Sequence, residues 1–271
     1  MTDLHETAHG TDKATSNPLM VHSVEKAFRV LFAFRPDQEE LSLSEIAEQT
    51  GLNKSAAQRF IHSLCELGFL IRSPSTRRYS LSHRCLSLGY LYASSNTLIS
   101  RAMPYMMHLS QSTEETVNLT LLDGPEVIFV SRYLSRHMLN TDVVVGSRLP
   151  AFCTAPGLAM LASLPEEEAD ALLEASDLHP FTQSTIWQPD EIRAELARIR
   201  RDGYAVAVEQ IYPGDLSIAA AVRNSSGRPV AAISVGSSLM RTSAENGRST
   251  YAPLVMAAAH KMSETPNLKR G

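Results

Sequence analysis

The chain has 271 residues, is 44% hydrophobic and carries a formal net charge of −4. This length suits about two domains, and the net negative charge excludes a protein that coats nucleic acid by electrostatics alone. No apolar run is long enough to span a membrane. Residues 1–19 are polar and contain no apolar segment of the kind that a signal peptide needs, so they are predicted to form a disordered tail of a cytoplasmic protein.

The segment from 20 to 82 is predicted to be a winged helix-turn-helix domain. Apolar residues at helical spacing predict a first helix between 21 and 34, whose face of Val24, Ala27, Phe28, Leu31 and Phe32 is expected to back the next two helices. In the second helix, Ser44 is predicted to be the N-cap and Gly51 the end.

The third helix and a hairpin complete the predicted domain. Asn53 is expected to cap this helix, which would bury Ala56, Phe60, Ile61 and Leu64. After Gly68, two short alternating runs at 69–72 and 78–81 predict a hairpin, the wing.

The third helix and the wing are predicted to contact DNA. Between 52 and 84 the chain has six basic residues and one acidic residue, a local net charge of +5. The helix would present polar side chains to base edges and phosphates in a major groove, and the wing would meet phosphates or the adjacent minor groove. The predicted DNA-binding residues are Ser44, Asn53, Lys54, Ser55, Gln58, Arg59, Arg72, Arg77 and Arg78. The alternative is a winged-helix scaffold that binds a protein partner, with a C-terminal domain that only dimerises.

The rest of the chain is predicted to be a linker helix over 83–97 and an effector-binding and oligomerisation domain over 98–265. Helices are expected at 98–111, from about Thr154, at 189–201 and at 243–263. Strands are expected at 117–122, 126–130, 204–208, 216–222 and 230–235, and a further strand is expected to end at 143–145. An antiparallel sheet flanked by helices makes this an α+β protein whose C-terminal part is a sensor domain of the GAF/PAS-like kind.

These segments, in this order, resemble the IclR family of bacterial transcription regulators. The resemblance covers about residues 20–265 and rests on the first helix with Val24-Glu25-Lys26-Ala27, the helix-turn-helix, the wing, and the runs 146–150, 153–155 and 194–204. The runs 146–154 and 216–219 look most like the branch that controls aromatic-acid catabolism, including β-ketoadipate-pathway genes. The resemblance implies a homo-oligomer, either a dimer or a tetramer, that binds a palindromic operator in double-stranded DNA. It also implies regulation by a small ligand, often a carboxylate.

The effector pocket is predicted partly from this resemblance and partly from chemistry. Positions carried over from the family are Met138, Thr141, Ala155, Ser217 and Ser234. Asn118 is added for its chemistry, and Thr154 because its hydroxyl would join the unpaired amides at a helix start, where a carboxylate is favoured. Each residue also has a structural alternative, such as an N-cap role for Thr154.

Two departures from the family pattern weaken the carry-over of a ligand. Pro156 removes one backbone donor from the helix start, and Ala207 stands where some members that bind small oxo acids carry an acid. The sequence therefore predicts a pocket for an aromatic or other small carboxylic acid without specifying which acid.

An enzyme is the remaining alternative, with Cys153 as a nucleophile near His137 or His179. No motif sets a base beside that thiol. Cys65, Cys85 and Cys153 also lack the spacing of a disulfide framework or a zinc site, so no metal or other cofactor is expected. The sequence predicts a non-enzymatic DNA-binding regulator of a catabolic operon.

Overall fold

The computed structural model describes residues 19–137 and 143–263. It divides into two compact units between Leu91 and Tyr92. Residues 1–18 of the predicted tail, and Met138 and Thr141 of the predicted pocket, lie outside the described residues. Within the described ranges, no helix is long and apolar enough to cross a membrane.

The N-terminal unit contains three helices and a two-stranded hairpin, as predicted. Its elements are α1 (His22–Leu31), α2 (Leu43–Thr50), α3 (Lys54–Glu66), β1 (Leu70–Arg72) and β2 (Tyr79–Leu81). Strands β1 and β2 pair antiparallel, with Leu70 opposite Leu81. The core of this unit includes Val30, Leu41, Ile46, Ile61 and Leu64, so one apolar cluster joins all three helices to the wing.

The side of helix α1 that packs against this core is not the predicted side. Val30 is fully buried, whereas Phe28 and Phe32 of the predicted inward face are 48% and 79% exposed. Val24 is also exposed. The helix is apolar on two adjacent strips, and periodicity alone does not distinguish the strip that packs inward from the one that faces outward. The second strip remains as an exposed apolar surface.

Helix α2 begins at a different cap from the predicted Ser44. Ser42 is the N-cap, and it forms a capping box in which its hydroxyl accepts from the Glu45 N–H while the Glu45 carboxylate accepts from the Ser42 N–H. This arrangement satisfies two backbone donors together, which a cap at Ser44 would not do. The predicted end at Gly51 is confirmed, with φ of 65°, and Asn53 caps α3 by accepting from the Ala56 N–H.

The C-terminal unit is built on a six-stranded antiparallel sheet. Its strands are β3 (Thr116–Asp123), β4 (Glu126–Tyr133), β5 (Arg148–Pro150), β6 (Ala205–Val208), β7 (Asp215–Arg223) and β8 (Pro229–Ser238). Their order across the sheet is β5-β4-β3-β8-β7-β6. The α+β class and the antiparallel sheet are therefore confirmed.

Helices cover both faces of this sheet. The connecting helices are α4 (Cys85–Ser95), α5 (Thr97–Thr113), α6 (Ala155–Leu161), α7 (Glu166–Glu174), α8 (Pro189–Asp202) and α9 (Ala244–Ser263). Helices α5 and α9 pack on one face, and α6, α7 and α8 pack on the other. Ile218 belongs to the first cluster and Ala219 to the second, because successive side chains of a strand point to opposite faces.

The third strand of this unit is not where the sequence placed it. Residues 143–145 are not a strand, and Val144 and Val145 are exposed. The strand is β5, which follows Gly146 and pairs with β4 through Val127 and Leu149. Arg148 of β5 adds to this pairing, because its guanidinium binds the carboxylates of Asp123 and Glu126. The β-branched residues at 143–145 therefore did not indicate the position of the strand.

Candidate functional site

Helix α3 presents an exposed polar surface without a carboxylate along most of its length. Lys54, Ser55, Gln58, Arg59 and His62 are all exposed, while Ala57, Ile61 and Leu64 on the opposite side are buried. Exposed residues at 55, 58, 59 and 62 lie on one helical face because they are three or four positions apart. This is the arrangement with which a helix contacts base edges and phosphates in a major groove.

The wing has two free arginines and one that is held in place. Arg72 and Arg77 are exposed, and Arg72 also lies over the Tyr79 ring. Arg78 instead donates to the Glu45 carboxylate at 2.7 Å and to the Glu40 carbonyl at 3.0 Å. Hydrogen bonds from the Ser42 N–H and hydroxyl and from Arg78 lower the pKa of Glu45 to about 2. Arg78 therefore attaches the wing to α2, in addition to its predicted role at DNA.

A second candidate site is a cavity of about 80 Å³ in the C-terminal unit, on the sheet face that α6 covers. Its floor contains a row of polar residues from neighbouring strands, because Arg132 pairs with Asn118 and Asn118 pairs with Ser234. Five predicted pocket residues line this one cavity: Asn118, Thr154, Ala155, Ser217 and Ser234.

Two charged residues that the sequence did not identify also line the cavity, Arg132 and Asp215. Arg132 Nε donates to Asn118 Oδ1 at 2.8 Å, and its guanidinium carbon lies 5.7 Å from the centre of the Phe129 ring. No carboxylate pairs with Arg132 among the residues that the structure describes, and burial lowers the pKa of its guanidinium. Burial also raises the pKa of Asp215 to about 6.

The helix start beside the cavity offers fewer donors than the sequence predicted. The Thr154 hydroxyl donates to the Pro150 carbonyl at 3.0 Å and accepts from the Gly157 N–H at 3.3 Å. Pro156 has no N–H. Thr154 is therefore an N-cap whose hydroxyl is already engaged, and a carboxylate in the cavity needs donors from elsewhere.

The surroundings of Cys153 do not favour the nucleophile of the enzyme alternative. Cys153 is fully buried, and burial raises the pKa of its thiol to about 12, so no reactive thiolate forms near neutral pH. His179 accompanies Phe181 in a loop, with its ring 4.4 Å from the Phe181 ring. In the described part of the chain, no histidine lines the cavity, and no group of three or more potential ligands is placed to hold a metal ion.

Together, a basic winged helix-turn-helix and a separate domain with a polar-lined cavity define a DNA-binding transcription regulator with an effector-binding domain. The models of two domain families match the chain. The IclR helix-turn-helix domain matches residues 23–74, and the bacterial transcriptional regulator IclR C-terminal domain matches residues 90–264. The chain therefore belongs to the IclR family of bacterial transcriptional regulators, whose members are not enzymes.

Individual relatives agree with this assignment. The Pca regulon regulatory protein of Pseudomonas putida is 28% identical over 249 residues, which are 92% of this chain and 85% of that protein. An IclR transcriptional regulator from Alicyclobacillus acidocaldarius has a crystal structure with a TM-score of 0.78, at 27% identity and with coverage of 90% and 98% of the two chains. An IclR homolog from Microbacterium hydrocarbonoxydans, solved in complex with 4-hydroxybenzoate, has a TM-score of 0.75 at 25% identity, over 89% and 97% of the chains.

Proposed function

We propose that this regulator acts in the cytoplasm, controls a catabolic operon, and changes its affinity for operator DNA when a small carboxylic acid binds the C-terminal cavity. The observation that carries the ligand class is the lining of the cavity. A polar row at Arg132, Asn118 and Ser234 lies beside apolar side chains such as Phe129 and Leu149. Such a lining suits a molecule with one charged end and an apolar body.

The relatives support an aromatic acid in particular. One structural neighbour is a complex with 4-hydroxybenzoate, and one sequence relative is named for the Pca regulon. The cavity of this chain is lined by an aromatic ring, that of Phe129, which offers a face for stacking. The proposal is that an acid of this class is the effector here too.

For DNA binding, the proposal is that a dimer contacts a palindromic operator symmetrically. A dimer would place two copies of α3 in successive major grooves. Support for self-association comes from the exposed apolar strip of α1 that includes Val24, Phe28 and Phe32, since exposed apolar patches of this kind mark interfaces. The effector would act on DNA binding through α4, which is the covalent connection between the two units.

The DNA-binding half is tested by fluorescence anisotropy with a palindromic operator fragment and a scrambled fragment. Arg59→Ala is expected to weaken specific binding by about 1–3 kcal/mol while leaving binding to the scrambled fragment nearly unchanged. His83→Ala, an exposed change outside the predicted set, is the control. Equal losses on both fragments would remove Arg59 from base recognition, and no difference between the fragments in the wild-type protein would favour the scaffold alternative.

The effector half is tested by thermal unfolding against a panel of aromatic and short aliphatic acids. A ligand that binds only the native state stabilises it by about 2.7 kcal/mol at 100 times its dissociation constant. An effector should also change the anisotropy titration with operator DNA. If no acid shifts the unfolding temperature, the carboxylate class is rejected and the DNA-binding half stands.

A further inference from the structure

We infer that Arg132 and Asp215 are the two poles of the effector cavity, so that it selects monocarboxylates with a hydrogen-bond donor at the far end and rejects dicarboxylates. This inference rests on the proposed effector-sensing function and deepens it. The inference gives the orientation of the ligand in the cavity and its chemical class. Neither the relatives nor the helix start beside the cavity determines these two properties.

Arg132 is the cation available for a ligand carboxylate. It lines the cavity and donates to Asn118 through Nε, which leaves the outer nitrogens of the guanidinium for a planar acceptor. Arg148 and Arg198 of the C-terminal unit, by contrast, are each bound by two carboxylates. Arg132 has no such partner in the described ranges. A charged, half-buried guanidinium without a counter-ion favours a carboxylate from outside.

Asp215 marks the opposite pole. It is the first residue of β7 and lines the same cavity, and within the described chain no cation forms an ion pair with it. Two ionisable residues are joined to Asp215 by backbone hydrogen bonds. They are Glu209, whose carboxylate accepts from the Gly214 N–H, and Tyr212, which also lines the cavity. A ligand hydroxyl placed here would donate to the Asp215 carboxylate, whereas a second ligand carboxylate would be repelled.

The sheet register keeps the two poles apart. Arg132, Asn118, Ser234 and Ala219 form one row across four strands. Three strand spacings separate the ends of this row by about 14 Å, and Asp215 lies four residues, about 13 Å, before Ala219 on β7. The two charged groups therefore belong to different parts of the cavity lining.

The helix start cannot substitute for Arg132. The Thr154 hydroxyl and the Gly157 N–H bind each other, and Pro156 has no donor. Ser217 and Ser234 offer neutral hydroxyls, which bind carboxylates less strongly than a guanidinium does. The charged end of the ligand is therefore held at Arg132.

The test is isothermal titration calorimetry of the full chain with matched probes. The aromatic set is 4-hydroxybenzoate, benzoate and terephthalate, and the aliphatic set is 4-hydroxybutyrate, butyrate and succinate. In at least one set the hydroxylated monocarboxylate is expected to bind best and the dicarboxylate at least about tenfold more weakly. Asp215→Asn is expected to reduce this difference to about threefold or less, chiefly by improving the dicarboxylate.

Variants of Arg132 test the other pole. Arg132→Met is expected to weaken every monocarboxylate by at least about tenfold, whereas Arg132→Lys, which keeps the charge, should retain most of the affinity. The control is Arg136→Met, which removes an exposed arginine outside the cavity. The recovery of binding in Arg132→Lys separates a lost ligand contact from a lost fold.

The outcomes separate this inference from the proposed function. If the wild-type protein binds a monocarboxylate and its matching dicarboxylate equally, or if Arg132→Met keeps its affinity, the two-pole assignment is overturned while carboxylate sensing stands. If neither set binds the wild-type protein, carboxylate sensing and the two-pole assignment are both overturned.

Discussion

Burial of the Asp215 carboxylate destabilises the folded state at neutral pH. Its pKa is about 6 in the fold and close to 3.8 when unfolded. Well below pH 4 the group is protonated in both states, and well above pH 6 it is ionised in both, so the penalty of burying its charge grows as pH rises from about 4 to about 6.

Asp215→Asn should therefore raise the free energy of unfolding by about 1–3 kcal/mol at pH 8 and by little at pH 4. Urea unfolding across this pH range measures the difference. Asp37→Asn, at an exposed carboxylate of the N-terminal unit, is the control and should show no such trend. A difference that does not depend on pH would mean that Asp215 affects stability by packing rather than by charge.

Gly157 is required by close approach rather than by backbone conformation. A Cβ atom at this position would lie 2.2 Å from the Ala151 carbonyl oxygen and 2.4 Å from the Ala151 Cα. The short turn Ala151–Cys153 packs directly on α6 at this point. Because backbone atoms rather than a flexible side chain occupy this space, an added methyl group would force the backbone to move.

Gly157→Ala is expected to cost about 3 kcal/mol or more in the free energy of unfolding. The matched control is Gly89→Ala in α4, where nothing lies within 4 Å of the added methyl. That change should stabilise slightly, by about 0.5–1 kcal/mol, since alanine is the better helix former. Equal effects of the two substitutions would contradict the packing argument.

At the scale of elements, the wing separates two arginines that are adjacent in sequence. Arg77 is exposed and has φ of 57°, whereas Arg78 binds Glu45 and the Glu40 carbonyl. Asparagine tolerates the left-handed conformation of Arg77. Arg77→Asn therefore removes a charge without disturbing the backbone.

Arg77→Asn is expected to weaken binding to all DNA sequences alike and to reduce the slope of log affinity against log salt by about 0.9, with no change in the unfolding temperature. Arg78→Ala should lower the unfolding temperature as well, because it releases the wing from α2. Salt-dependent anisotropy and thermal unfolding distinguish these results. A sequence-selective loss in Arg77→Asn would assign that side chain to base recognition instead.

The elements that the sequence predicted well are those whose boundaries are set by local chemistry. Asn53 and Gly51 fixed the helix-turn-helix, and Gly203 ends α8 in the left-handed conformation. The predictions failed where distant residues decided the outcome. The inward side of α1 depends on what α2 and α3 present to it, and β5 depends on its pairing with β4.

The role of Arg132 in the cavity could not be predicted from the sequence, because it also depends on how distant residues pair. Counting outward from the Asp123–Glu126 pair in a regular hairpin places Ser131 opposite Asn118. The structure has a register shift between Leu119 and Thr120, which places Arg132 opposite Asn118. A bulge of this kind re-aims a side chain, and no residue type in this stretch signals it. The cavity's cation therefore depends on an irregularity that the sequence does not reveal.

At the scale of the whole molecule, the exposed strip of α1 predicts self-association through the N-terminal unit. Phe28 and Phe32 stack with their ring centres 6.4 Å apart, and both are substantially exposed. Because contiguous aromatic surface is costly in water, we expect this strip to be covered in a homo-oligomer.

Phe28→Ser with Phe32→Ser is expected to shift the oligomer toward smaller species and to weaken operator binding at low protein concentration. Sedimentation velocity measures the first effect, and a titration of DNA with protein measures the second. Met240→Ser removes a side chain that is 95% exposed in the C-terminal unit and is the control. If both proteins sediment like the wild type, the strip of α1 is not an interface.

The burial of Cys153 has a consequence for kinetics. Cys65 and Cys85 are partly accessible, whereas Cys153 is buried and borders the effector cavity. A thiol of this kind reacts with a disulfide reagent only during transient openings of the surrounding structure, so its labelling rate reports the opening equilibrium. An effector that fills the cavity should slow the modification of Cys153 and leave the rate of Cys65, which lies in α3, unchanged. The labelling rate of Cys153 therefore measures whether a ligand occupies the cavity, without a fluorescent label or DNA.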